Sequence, residues 1–175
     1  MEGASTLELL AELAVGVLGF TGIVAAIGQR ASGEWTPFDQ IRFFSMVFVG
    51  ALVIILALLP FPLHYAGLEA ASLWSWSSGV GALLSFFFFI GLVRATPNAG
   101  VMEMYRDPEA SNVALGYGLL SGFGSLLLLC LNAMGLLFDR TFTPYLVAVL
   151  LLFSFTLVAF VRILQAEVQR IGRAA

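Results

Sequence analysis

Residues 7–27 read LELLAELAVGVLGFTGIVAAI, a run in which Glu8 and Glu12 are the only ionisable groups. A helix rises about 1.5 Å per residue, so about 20 apolar residues cross the roughly 30 Å of hydrocarbon in a bilayer. This run meets that length. Four more stretches do so, at 41–59, 73–93, 113–138 and 145–164. The spacing predicts an all-α chain, a bundle of five transmembrane helices forming a single domain over 1–175.

Composition points the same way. The 175 residues are 60 % hydrophobic and 11 % charged, with a mean hydropathy of +0.98. A soluble domain is about a quarter charged and hides only about 70 % of its unfolded surface at this size, so its outside must be polar. There are too few charges here to build such an outside, and lipid must cover the remainder. The bilayer is therefore the first expected partner.

Each gap between the stretches carries helix punctuation. Pro60 and Pro62 follow the second, Thr96-Pro97 follows the third, Asp107-Pro108 precedes the fourth and Thr143-Pro144 the fifth. Proline in a first turn sacrifices no hydrogen bond. Thr36 before Pro37 reads as an N-cap for the second helix, and Ser5-Thr6-Leu7-Glu8 matches a capping box at the start of the first. The first dozen residues are acidic where a cleavable signal needs positive charge, so the first helix is expected to remain. Beyond residue 164 the helical spacing continues to about 172, which predicts a short extension past the membrane with Arg162 snorkelling to its border.

When the connections are assigned alternately to the two sides, Arg30, Arg42, Arg94, Arg106, Arg162, Arg170 and Arg173 fall on one side and Arg140 alone on the other. Basic residues gather on the cytoplasmic face, so the N-terminus is expected outside and the C-terminus in the cytoplasm. Trp74, Trp76, Tyr65 and Tyr145 then belong to an outer aromatic belt, with Trp35, Tyr105 and Tyr117 at the inner border. The net charge of −3, without a contiguous basic face, argues against nucleic acid.

Chemistry-bearing residues are few. Glu12 lies about 10 Å along the first helix, inside the hydrocarbon, where a carboxylate is costly unless it faces protein or water. It is either a polar-route residue or the partner of Arg140, His64 or Asn132, all expected near the same border. Asn132 and Ser78 are further candidates for a polar route, although a buried amide more often serves as an interhelical hydrogen bond. Ser72, Ser75, Ser77, Ser78 and Ser85 give the third span a hydroxylated half above the apolar run at 86–89. That pattern fits a polar vestibule over a constriction, and equally an ordinary helix whose serines bond to backbone carbonyls. His64, the single histidine, is read as a solvated border residue. Gly16, Gly19 and Gly22, and Gly118 and Gly122, form small-residue strips that admit close helix approach.

The single Cys130 makes neither an intrachain disulfide nor a metal site, and no cofactor or metal is expected. Gly118-Leu119-Leu120-Ser121-Gly122 and His64-Tyr65-Ala66-Gly67 carry pieces of the rhomboid-protease motifs, but glycine is absent two residues before Ser121 and the histidine precedes the serine. No nucleophile with a base is found, so catalysis is not expected.

The stretch from Leu10 to Val24, followed by Arg30, Gly33-Glu34-Trp35 and Asp39 to Arg42, resembles the opening of uncharacterised small multi-pass proteins of bacterial inner membranes. The resemblance covers the first quarter of the chain, implies a bacterial inner-membrane setting and carries over no site residue. Together these readings predict a homo-oligomeric assembly passing a small ion or solute. The alternative is a non-catalytic accessory or scaffold subunit whose cytoplasmic Arg residues meet a protein partner or anionic lipid.

Overall fold

The computed structural model describes residues 1, 3–32, 37–95 and 108–174; at 27–32, 37–39, 42, 95, 108–115 and 166–174 the backbone alone is described. Among the described residues six helices follow one another: α1 (Ala4–Ser32), α2 (Pro37–Leu58), α3 (Pro60–Tyr65), α4 (Ala70–Ala95), α5 (Pro108–Met134) and α6 (Phe142–Ala174). Five segments are long and apolar enough to cross a membrane: Ala4–Ala26, Phe43–Tyr65, Ala70–Arg94, Gly116–Met134 and Phe142–Gln165. These are compatible with a multi-pass integral membrane protein. The expected cap at Thr36, the Thr96-Pro97 punctuation after the third span, and the inner-border Trp35 and Tyr105 lie outside the described residues.

Helices α2 and α6 pack on each other at the centre, with α1 closing one side and α4 and α5 the other. Among the described residues, Leu7, Leu10, Ala11, Leu56, Ala57, Leu73, Trp74, Tyr145, Ala148 and Val149 are buried in one cluster toward the end where α1 begins. Gly3, whose φ is +70°, lies against the Phe142 ring so closely that a Cβ would fall 2.0 Å from it. This contact starts the helix early. With Ala4 as its first residue, Ser5 sits inside the first turn, so the capping box expected at Ser5 and Glu8 does not form.

Proline shapes the second span. Leu59 keeps right-handed helical angles and donates its N–H to the Ile55 carbonyl at 2.9 Å, so α2 runs almost directly into α3. Pro60, however, has no N–H to offer the carbonyl of Leu56 four residues earlier. The hydroxyl of Tyr145, from the first turn of α6, donates to that carbonyl at 2.5 Å. Tyr145 is therefore 0 % exposed, and Trp74, at 3 %, stacks beside it with ring centroids 5.6 Å apart and 5.1 Å from Phe142. Both residues differ from the belt position expected of them: they fill the core, whereas Trp76 and Tyr65 are exposed.

Glycine sets the end of α5. Gly135 has φ +69°, and its N–H bonds to the Asn132 carbonyl at 3.3 Å while that of Leu136 bonds to Leu131 at 3.2 Å. This pair of bonds is the left-handed glycine C-cap. It stops the helix at Met134, four residues short of the boundary expected from hydropathy, because the apolar Leu136 and Leu137 belong to the turn. At the other end of the chain, α6 remains helical to Ala174, consistent with the expected extension beyond the last span.

Removing the Tyr145 hydroxyl leaves the Leu56 carbonyl without a donor, so Tyr145→Phe should lower stability by about 1–2 kcal/mol. Pro60→Ala restores the N–H in the helix ladder. In that background the tyrosine substitution should cost clearly less, and a double-mutant cycle by thermal unfolding in detergent measures the difference.

Candidate functional site

Two sets of polar side chains compete for attention, and they lie on opposite sides of the bundle. The first joins α4 to the end of α5. Asn132 is 0 % exposed, and its Nδ2 donates to Ser78 Oγ at 2.8 Å and to the Thr141 carbonyl at 3.1 Å. Its Oδ1 accepts the Thr141 N–H, also at 3.1 Å. Both amide hydrogens are thus used, and the side chain pins the start of α6 to the end of α5 and to α4.

Ser75 completes this arrangement by donating to the Ala133 carbonyl at 2.8 Å. That carbonyl lies in the last turn of α5, past which no helical N–H is available. Along α4, Ser85 donates to the Gly81 carbonyl at 2.8 Å in the ordinary back-bonding pattern, while buried Ser77 has an unpaired Oγ. In the phenylalanine run below, Phe86 and Phe87 are exposed, Phe88 meets Phe48 and Phe89 meets Phe123. Those rings face outward or pack against neighbouring helices.

The second set occupies the face of α1 turned away from its core. Leu7, Leu10, Ala11, Ala14, Thr21 and Ala25 form the buried stripe at three- and four-residue spacing. Glu8, Glu12, Gly16, Gly19 and Gly22 are exposed. Nothing lies within 4 Å of a Cβ built on any of those three glycines. Leu9, Leu13, Phe20 and Ile23 rise around them as exposed apolar side chains. The result is a shallow strip of bare backbone with a carboxylate at one end.

Among the described residues, no hydrogen bond or ion pair engages the Glu12 carboxylate. None of the partners considered for it stands beside it: Asn132 is saturated, His64 is exposed next to Tyr65, and Arg140 lies over Gly135 in the turn between α5 and α6 with φ +53°. Eight residues separate Glu12 from the start of α1 at Ala4, which places it about 12 Å along the helix.

The fourth-span glycines divide. A Cβ on Gly118 would approach the Phe155 ring to 3.1 Å, whereas Gly122 has open space. Ser121 is buried and donates to the Gly118 carbonyl at 3.2 Å, on a helix that does not bring it to His64. The tightest helix approaches fall at Gly50 and Gly81, where a Cβ would lie 2.7 Å from Leu18 Cδ2 and 2.9 Å from Leu56 Cδ2. Sequence reasoning passed over both, Gly81 although Ser77, Gly81 and Ser85 stand at the four-residue spacing of small residues that admits close helix approach. Tyr117, expected at the inner border, is half-buried: its hydroxyl donates to Ser154 Oγ at 2.8 Å, and Ser154 donates in turn to the Leu151 carbonyl.

The two sets should respond differently to substitution. Asn132→Leu removes three hydrogen bonds at once and should destabilise by about 2 kcal/mol, against about 0.6 kcal/mol for Ser78→Ala, as read from thermal unfolding in detergent. Glu12→Gln should leave that midpoint unchanged, because the chain itself supplies the carboxylate with no partner to lose. No family model matches the chain, and no curated protein or solved structure matches it.

Proposed function

We propose that this chain is the subunit of a homo-oligomer in a bacterial inner membrane, with its N-terminus outside and its C-terminus in the cytoplasm, that passes a small ion or solute between copies. The observation that carries this reading is the open face of α1. A carboxylate inside hydrocarbon is costly, and side chains of this kind face protein or water in almost every membrane protein. Glu12 has neither within its own subunit. Small residues likewise gather where one membrane helix meets another, because they let backbones approach closely. The strip through Gly16, Gly19 and Gly22 meets nothing of its own chain.

A second copy resolves both problems together. Helices of neighbouring subunits laid along the glycine strip bring their Glu12 side chains toward a shared axis, where a ring of carboxylates meets water and attracts cations. The route then runs between subunits. Asn132 and Ser78, the other polar candidates, lie on the far side of the bundle and hold each other. The orientation rests on the seven-to-one division of arginine.

Chain purified in mild detergent should sediment as an oligomer, and Gly19→Leu should shift it to a monomer that keeps its helical fold, since a Cβ there meets nothing of its own bundle. Glu12→Gln should keep the oligomer and cut cation flux into liposomes by roughly tenfold. A monomeric wild type without flux overturns the proposal. An oligomer with no flux leaves a scaffold role in its place.

A further inference from the structure

Hydroxyl groups inside a membrane span are ordinarily satisfied by their own helix. Thr21, Ser85, Ser121, Ser154 and Thr156 follow that rule, each donating to a carbonyl three or four residues back at 2.7 to 3.2 Å. Ser125 departs from it. It is 0 % exposed, stands at the middle of the span Gly116–Met134, and its Oγ has no partner. A buried hydroxyl in that state is costly, so something beyond its own helix is needed to satisfy it.

What lies opposite Ser125 follows from the register of the seam between α4 and α5. Asn132 bonds to Ser78, and a Cβ on Gly81 would lie 3.6 Å from Leu129 Cδ1. Farther along, the rings of Phe89 and Phe123 meet at 5.4 Å. The two helices run in opposite directions, so one turn on from Gly81 and one turn back from Leu129 bring Ser85 level with Ser125. Ser85 is 8 % exposed and gives its proton to the Gly81 carbonyl, which leaves its oxygen able to accept from another donor. The seam at this level is built of small residues, namely Gly81, Ala82, Ser85, Ser121 and Ser125. A Cβ on the half-buried Gly122, one turn from Ser125, would meet nothing within 4 Å.

We infer that a water molecule bridges Ser125 and Ser85 at the centre of the α4–α5 seam, accepting the Ser125 O–H and donating to Ser85 Oγ. A buried water needs at least two polar partners and room of about one probe sphere, and this level of the seam supplies both. The bridge is a second polar cross-link between the helices, about 10 Å along the seam from that of Asn132 and Ser78. It lies within one bundle and depends on no contact between copies. Ser77, also buried without a partner for its Oγ, differs in what faces it. Ser75 and Gly79 on either side both meet Ala133, so no second hydroxyl stands at its level to share a water.

The test uses the full chain in mild detergent and two readouts. X-ray radiolysis converts a bound water to hydroxyl radical in place, so the buried Leu129, one turn from Ser125, should be oxidised in wild type. Leu7, equally buried but away from the seam, should not be, and Ser125→Ala should lose most of the Leu129 label. In thermal unfolding, Ser85→Ala and Ser125→Ala should each lower the midpoint. The double variant should fall no further than the more damaging single one, because either change releases the water. Ser77→Ala should leave the midpoint where it is. Leu129 unlabelled in wild type, its label undiminished in Ser125→Ala, additive losses in the double variant, or an equal loss in Ser77→Ala overturns the inference. Coupled losses with Leu129 unlabelled mean that the two hydroxyls bond directly, which also excludes the water.

Discussion

Hydrocarbon offers no hydrogen bonds, so a backbone carbonyl released by proline inside a membrane span must find its donor within the protein. Pro60 releases the carbonyl of Leu56, and Tyr145 supplies the donor from α6. Much of the bundle follows from that requirement. For the phenol to reach, the first turn of α6 must lie against the bend between α2 and α3, which makes these two the central pair. Trp74 then closes over the phenol, α4 comes with it, and Gly81 admits the Leu56 side chain. On the other flank Phe142 receives Gly3 and Leu7 is buried, so the start of α1 is fixed to the same end.

How much of this was legible in the sequence depends on which physical signal was present. The five spans were, because hydropathy over about 20 residues is a direct statement about length in lipid. Helix ends were less so. Leu136 and Leu137 extend the apolar run, yet a left-handed Gly135 ends α5 before them, and hydropathy is blind to backbone handedness. Tyr145 and Trp74 were read as interface residues from their type and position. A better signal was at hand: proline four residues after Leu56 announces an orphan carbonyl, and a tyrosine near the same border is a natural donor. The face shared by Glu12, Gly16 and Gly19 was legible from helical spacing, but not its exposure. Helix α1 is apolar nearly all round, so spacing alone does not say which side meets the bundle.

The buried polar groups on the Asn132 side and the exposed ones on α1 differ in what they still require. Asn132 has both amide hydrogens and its oxygen engaged, and each bond replaces one that a helix end or a turn would otherwise lack. A solute could take this amide as a ligand only by unpinning the junction between α5 and α6. Such a group stabilises architecture. Glu12 is the opposite case, since a carboxylate without a partner has binding capacity left over and a desolvation cost still to be met. Within one chain, saturated polar groups mark structure and unsatisfied ones mark where something else belongs.

That distinction also decides where a polar route can run. A path through the middle of one subunit would have to pass between α2 and α6, where, among the described residues, Val53, Leu56, Val149, Leu152 and Phe153 are packed together without a charged neighbour. Opening it would separate the pair that holds Tyr145 to Leu56. A path along the α1 face separates nothing in the subunit, because the glycines there carry no side chain to move and Glu12 has no bond to break. On the proposed reading, a route at the contact between copies would leave each bundle intact. It requires only that the backbones of neighbouring α1 helices approach closely, which glycine permits and which leucine at position 19 would prevent.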